Sequence, residues 1–398
     1  MSAARWRSAE RARSRSATPL RPRPLLRHVH LWLGLSLGLV FALLGLTGSA
    51  LVFYVEIDKA LHPAIARTEA ASAPSWTSSA WDRALAAGRA RWKDAPGKWS
   101  FEATGEDGMI PARFYPASRH AGHHAPRWMV WFSADGSRVV RAEPWGSYLM
   151  TWLYDLHMDL LAGEPGRQVV GWSGYAVLAL LATGLAAWWP RGTWRKAVAF
   201  KRGAGPQRRL RDLHKLTGLW SVVLLIVLSA TGALLALPEI RTALFAAAIA
   251  VPDDVPSPRS AASSGRQIAP SEALLAAHRI LPEGRLAFVD VPPAGAEPYR
   301  IRVQVPGDPH RRFPGSYVFV DQHDARILAV QDIRRGNAAT TAIGWIRVLH
   351  DGSVGGLPTR VLAVILGLCP AGLLVTGLLH WRRRTAARAA MNSMESRS

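Results

Sequence analysis

Four stretches of the chain carry no formal charge and are apolar on every face: Leu31–Val55, Gln168–Pro190, Leu216–Leu237 and Val361–Trp381. Each has at least 21 residues, enough at about 1.5 Å per residue to cross a hydrocarbon core of roughly 30 Å. An apolar stripe on one face would mean a soluble surface helix; apolar residues all round mean a lipid-facing span. Between spans the pattern shortens. Met129–Val140 and Tyr317–Leu328 each read as strand, polar turn (Asp135-Gly136 and His323-Asp324) and second strand. Upstream of each lies a helical stretch, Trp76–Trp92 and Pro270–Ile280, the second with Ser271 placed to cap it. Segments rich in Ser, Ala and Pro, Ala66–Ser79 and Pro252–Gln267, read as linkers.

The pattern repeats. The motif H-x3-G-x12-T-G occurs at His30, Gly34, Thr47, Gly48 and again at His214, Gly218, Thr231, Gly232. A second motif, W-x4-H-x5-G-x19-T-G, occurs at Trp152, His157, Gly163, Thr183, Gly184 and at Trp345, His350, Gly356, Thr376, Gly377. The predicted fold is therefore a membrane protein, an all-α four-helix transmembrane bundle arising from an internal duplication, with two periplasmic α+β modules. Its expected boundaries are a basic N-terminus (1–27), helix 1 (28–56), module 1 (57–150), an interfacial segment with His157 (151–167), helix 2 (168–190) and a basic loop (191–211). The second half follows with helix 3 (212–238), module 2 (239–340), an interfacial segment with His350 (341–357), helix 4 (358–381) and a tail (382–398).

Charge orients this arrangement. The chain carries a formal +21, of which residues 1–27 hold +7, residues 191–211 hold +8 and residues 382–398 hold +4. An excess confined to short segments at helix ends follows the positive-inside rule, with both termini cytoplasmic in a bacterial inner membrane. It does not form the basic face that nucleic acid requires, so no nucleic-acid partner is expected. The single cysteine, Cys369, allows no intrachain disulfide, and no C-x-x-C-H is present for covalent haem attachment.

Four histidines kept in register by a duplication point to paired ligands, one from each half. By this topology His30 and His214 lie at the cytoplasmic tier and His157 and His350 at the outer tier, on short segments near the interface. Two neutral imidazoles meeting across a bundle are the ligand set of a six-coordinate b-type haem, and two tiers imply two haems. Glycines at Gly34, Gly38, Gly48, Gly171, Gly174, Gly184, Gly218 and Gly232 would let a flat macrocycle approach the backbone, or simply let helices pack. The Thr-Gly pairs read as packing and capping features. His28 and His380 have no repeat partner and rank second as ligands. His120, His123 and His124 form a His-rich run in module 1, a candidate divalent-metal site, although a polar loop is the commoner meaning of such a run. No nucleotide fingerprint, nucleophile elbow or H-E-x-x-H motif is present.

At these residues the chain resembles the PepSY-associated transmembrane helix family, which includes iron-regulated inner-membrane proteins and ferrisiderophore reductases. The resemblance rests on His30-x3-Gly34 with Thr47-Gly48, Leu156-His157, Thr183-Gly184-Leu185 running into Trp188-Trp189-Pro190-Arg191, His214-x3-Gly218, Leu349-His350-Asp351-Gly352 and Thr376-Gly377-Leu378 before Trp381. It implies that the two modules are PepSY-like. It also implies that b-type haems pass electrons outward from a cytoplasmic or quinol donor to a ferric siderophore or other ferric chelate. The competing expectation is a non-enzymatic PepSY membrane scaffold that binds or regulates an exported protease or assembly partner. A metal permease is last, since the four spans hold no charged residue at their centres.

Overall fold

A computed structural model of the chain describes residues 22–63, 74–103, 109–117, 127–190, 192–261 and 266–396. Four of its helices are long and apolar enough to span a membrane. They are α1 (Pro22–Val52), α5 (Gly163–Trp188), α7 (Pro206–Ala236) and α11 (Leu357–Glu395). Each helix holds most of one apolar stretch, and α1, α7 and α11 continue past it at the end that carries basic residues. In the bundle α1 packs on α5 and α11, and α7 packs on the same two, so that α1 and α7 lie diagonally opposite. Short helices α2 (Tyr54–Leu61) and α8 (Pro238–Ala248) continue from α1 and α7. A helix α6 of one turn (Trp194–Ala197) sits in the basic loop.

The interspan regions are α+β, as their alternation predicts, but they are not two separate modules. The first supplies α3 (Ala80–Arg91) and strands β1 (Gly97–Glu102), β2 (Ile110–Pro116), β3 (Trp128–Phe132) and β4 (Val139–Pro144). The second supplies α9 (Pro270–Ile280) and strands β5 (Arg285–Val291), β6 (Tyr299–Gln304), β7 (Ser316–Val320) and β8 (Ile327–Gln331). All eight join one antiparallel sheet in the order β4-β3-β2-β1-β5-β6-β7-β8. The seam is the β1–β5 pair, where Trp99 faces Val291 and Glu102 faces Phe288. Ser100 donates to Asp290 across it at 2.6 Å. Pairing there removes the two strand edges that separate modules would have left open.

Strand alternation decides which face does what. In β2, Ile110, Ala112 and Phe114 are buried in the core, while Pro111, Arg113 and Tyr115 point the other way. The core face carries Trp99, Phe101, Val289, Ile301 and Val318 beneath α3 and α9. The two helices are joined by Ser271, whose hydroxyl and amide both donate to Asp82, at 2.6 and 2.9 Å. Ser271 is therefore not the N-cap that its sequence position suggested. Helix α9 starts at Pro270, as expected, with Ala269, two residues before Ser271, in the capping position, and Glu272 reaches back to the Ala269 amide. The opposite face of the sheet looks towards the bundle.

Two further helices connect sheet and bundle: α4 (Leu149–Asp159), which carries His157, and α10 (Ala338–His350), which ends on His350. The segments expected to be interfacial are helical through the histidine and turn sharply after it. After α4 the turn uses left-handed backbone at Leu160 and Leu161 (φ 54° and 61°) and at Gly163. After α10 it uses Gly352 and Gly356, the residue type that adopts this conformation without a side-chain clash.

Candidate functional site

The structure brings the four histidines together as two pairs. His30 on α1 and His214 on α7 stand with ring centres 6.3 Å apart at the end of the bundle near the basic segments. His157 and His350 stand 6.2 Å apart at the sheet end. Each pair takes one member from each half of the chain. His30 and Thr47 are 17 residues apart on α1, as are His214 and Thr231 on α7, which sets the two tiers roughly 25 Å apart along the helix axis.

Each ring is seated the same way. The His30 Nδ1 donates to the Leu180 carbonyl at 3.0 Å, that of His214 to Leu373 at 3.1 Å and that of His350 to Leu228 at 3.1 Å. The His157 Nδ1 lies 3.0 Å from the Thr47 hydroxyl, with the Leu44 carbonyl also in reach. In every case the carbonyl belongs to the residue three before the threonine of a Thr-Gly pair. Thr376 and Thr231 meet His214 and His350 in turn, at 3.0 and 3.2 Å.

A carbonyl only accepts, and each of these threonines already gives its proton to the carbonyl four residues back, at 2.7–2.8 Å. The Nδ1 atoms therefore carry the hydrogens and Nε2 keeps its lone pair, the tautomer a metal needs, fixed by the partner of the other nitrogen. The glycine of each pair admits the ring. A methyl at Gly184 would stand 2.7 Å from His30 Cε1, at Gly48 2.9 Å from His157, at Gly232 2.8 Å from His350 and at Gly377 3.3 Å from His214.

Sequence reasoning missed this use of the Thr-Gly pairs, although the signal was present in their fixed register with the histidines. The glycines divide between the two roles that the sequence left open. Gly48, Gly184 and Gly232 receive imidazoles. Gly38 faces Leu374, Gly171 faces Leu237 and Gly174 faces Ala233. Of the eight glycines named above, Gly34 and Gly218, one turn beyond the first histidine pair, have room for an added methyl at ordinary contact distance.

An imidazole nitrogen lies roughly 2.0–2.1 Å from a bound metal and about 1.2 Å from its own ring centre, so two rings sharing one ion end to end are about 6.4 Å apart. Both pairs have that spacing, and donor chemistry and spacing together fit a haem iron that the two rings of a pair would hold. Among the described residues no group of three or more His, Cys, Asp or Glu could hold a metal ion. His28 is exposed, and His380 is half-buried with its Nδ1 lacking a hydrogen-bond partner. Neither forms a ring pair among the described residues. His120, His123 and His124 lie outside the described residues.

Above the second pair, between bundle and sheet, lies a cavity of about 980 Å³. His157 and His350 line its floor with small residues of the bundle, among them Gly48, Ser49, Gly174 and Gly232. Its roof is the bundle-facing side of the sheet. The floor and roof are tied by a loop of the second region: His310, buried, donates from Nε2 to Asp351 at 3.1 Å, next to His350. The His310 Nδ1 accepts the amides of Arg312 and Phe313.

One curated relative, an uncharacterized protein of Pseudomonas aeruginosa, is 36% identical over 94 residues, which is 24% of this chain and 23% of that protein. The match thus spans about a quarter of that relative's length. The family described as the PepSY-associated TM region matches residues 27–384, from just before His30 to just past His380. The chain belongs to the PepSY-associated transmembrane family.

Proposed function

We propose that this protein is a two-haem, b-type electron carrier of the bacterial inner membrane that reduces a ferric chelate, such as a ferrisiderophore, on the periplasmic side. The observation that carries the reading is the two pairs of imidazoles with ring centres 6.3 and 6.2 Å apart, each ring with Nδ1 committed to a helix carbonyl or threonine. His30 and His214 hold the haem at the cytoplasmic tier, and His157 and His350 the one at the outer tier. A b-type haem, when bound, supplies one-electron chemistry at iron whose potential depends on ligand hydrogen bonding and burial. The chain's own contribution is to keep each imidazole neutral, oriented and shielded by its Thr-Gly seat. Electrons enter from a quinol or a cytoplasmic flavin donor. One electron given to the chelated ferric ion yields a ferrous ion, which oxygen ligands hold less tightly.

The scaffold alternative, a PepSY protein that restrains an exported protease or assembly partner, gives four anchored imidazoles no role. The deciding measurement is the visible spectrum of the purified protein before and after dithionite. A low-spin b-type spectrum with about two haems per chain is expected. A colourless protein after expression with ample haem would overturn the reading.

A further inference from the structure

The cavity over the outer histidine pair is strongly cationic: ten Lys and Arg side chains line it against four carboxylates, Glu56, Asp58, Glu102 and Asp351. Glu56 is matched by Arg360 at 2.7 Å and Asp58 by Arg141 at 2.9 Å, and Asp351 is held by His310. That leaves Glu102, buried at the β1–β5 seam, with Arg312 at 2.6 Å and Arg113 at 3.4 Å. Directly across the seam Phe288 stacks on Phe313, centres 5.6 Å apart. Arg113 and Arg302 sit over the Phe288 ring, and Arg312 and Arg347 over Phe313. Four guanidiniums from four elements thus gather on two stacked rings around one carboxylate. Arg302 and Arg347 form no salt bridge among the described residues. Arg347 is one helical turn before His350.

Like charges crowded into a half-desolvated space repel, and a ring face offsets each only in part. Two haem propionates would supply two negative charges, fewer than the excess of cations over carboxylates. We propose that the Arg113–Arg302–Arg312–Arg347 cluster is a docking site for the anionic face of a polycarboxylate or catecholate metal chelate. A neutral or cationic trihydroxamate chelate is excluded by the same charge. The substrate role of that chelate rests on the reductase reading; its binding does not.

The test uses full-length protein in detergent, titrated with gallium(III) citrate, a redox-inert anionic chelate, and followed by tryptophan fluorescence. Gallium(III) desferrioxamine B serves as the cationic comparison. The double variant R302Q/R347Q is chosen because neither side chain holds a buried carboxylate. Gallium citrate should bind wild type and weaken at least tenfold in the double variant, with haem content by pyridine haemochrome unchanged. Equal binding by the variant, or equally tight binding of the desferrioxamine chelate, overturns the proposal. Loss of haem in parallel with citrate binding also overturns it, by assigning the cluster to propionates. Should the variant fail to fold, wild type alone decides: binding that does not weaken between 50 mM and 500 mM salt overturns the site. Citrate binding by a haem-free protein would keep this site and remove the reductase reading.

Discussion

The two histidine tiers share one seating chemistry and differ in everything above it. At the His30–His214 tier the rings lie within the long helices themselves, and the seats belong to α5 and α11. At the His157–His350 tier the rings ride on α4 and α10, short helices that also support the sheet, and the seats belong to α1 and α7. The first tier is enclosed by bundle. The second forms the floor of a large cavity roofed by arginines. One ligand arrangement is thus built once from the membrane helices alone and once from the short helices that connect the bundle to the sheet. On the reading proposed above, the first tier would serve as relay and the second would exchange with an external molecule.

Removing ligands should separate the tiers most sharply. His350→Ala or His157→Ala should halve haem content from about two per chain to one and abolish reduction of an external ferric chelate, while the remaining haem is still reduced by dithionite. His30→Ala or His214→Ala should also halve haem, but should leave an outer haem that no cytoplasmic-side donor reduces. Full haem and full chelate reduction in either set would break the comparison.

A smaller effect is expected in the seats. Gly184→Ala places a methyl 2.7 Å from the His30 ring, whereas Gly377→Ala leaves 3.3 Å to His214. The first is a clash and the second a close contact. Displacing a group that orients a ligand typically costs about 10–100-fold in metal affinity, so Gly184→Ala should lose most first-tier haem and Gly377→Ala little. Haem retention on dilution measures both. Equal retention would mean that the seats do not orient the rings.

The smallest effect concerns the seam. Burial pushes the Glu102 carboxyl up, but Arg312 and Arg113 pull harder, and its pKa ends below the usual carboxylate value. A lowered folded-state pKa contributes stability above the unfolded carboxylate range, and that contribution is lost as the pH falls through the folded value. Melting temperature should therefore stay level down to the ordinary carboxylate range and drop below it, with the His157–His350 haem released before the other. Glu102→Gln should flatten this acid limb. Simultaneous release of both haems would show that the sheet does not govern its tier.

Much of this was legible in the chain. Charge-free runs gave the spans, because lipid excludes unpaired charge whatever the tertiary contacts. The repeated register pointed to the histidines whose rings the structure brings near each other, His30 with His214 and His157 with His350, because helix rise fixes the spacing of His and Thr-Gly along α1 and α7. The hairpins were visible from turn residues. What stayed hidden depends on contacts between distant segments. A strand's alternation says which side is buried but not which strand lies beside it, so β1 gave no sign of β5. The threonines read as helix packing because their hydroxyls do bond their own helix; only the structure reveals a ring on the other side. Arg113, Arg302, Arg312 and Arg347 are scattered over two regions and show no run or spacing, although the alternation of Arg113 with Ile110, Ala112 and Phe114 marked it as facing away from the core.

The seam also has a consequence for how the protein is made. Ser100 waits for Asp290, 190 residues later, and between them the ribosome must deliver two further membrane helices. Until α7 is inserted and β5 follows it across, the first four strands form a sheet with β1 as a bare edge, open to any strand that arrives first. Assembly of the roof is thus timed by membrane insertion. A chain stopped after α5 would display an unpaired edge strand, prone to pairing with another copy of itself.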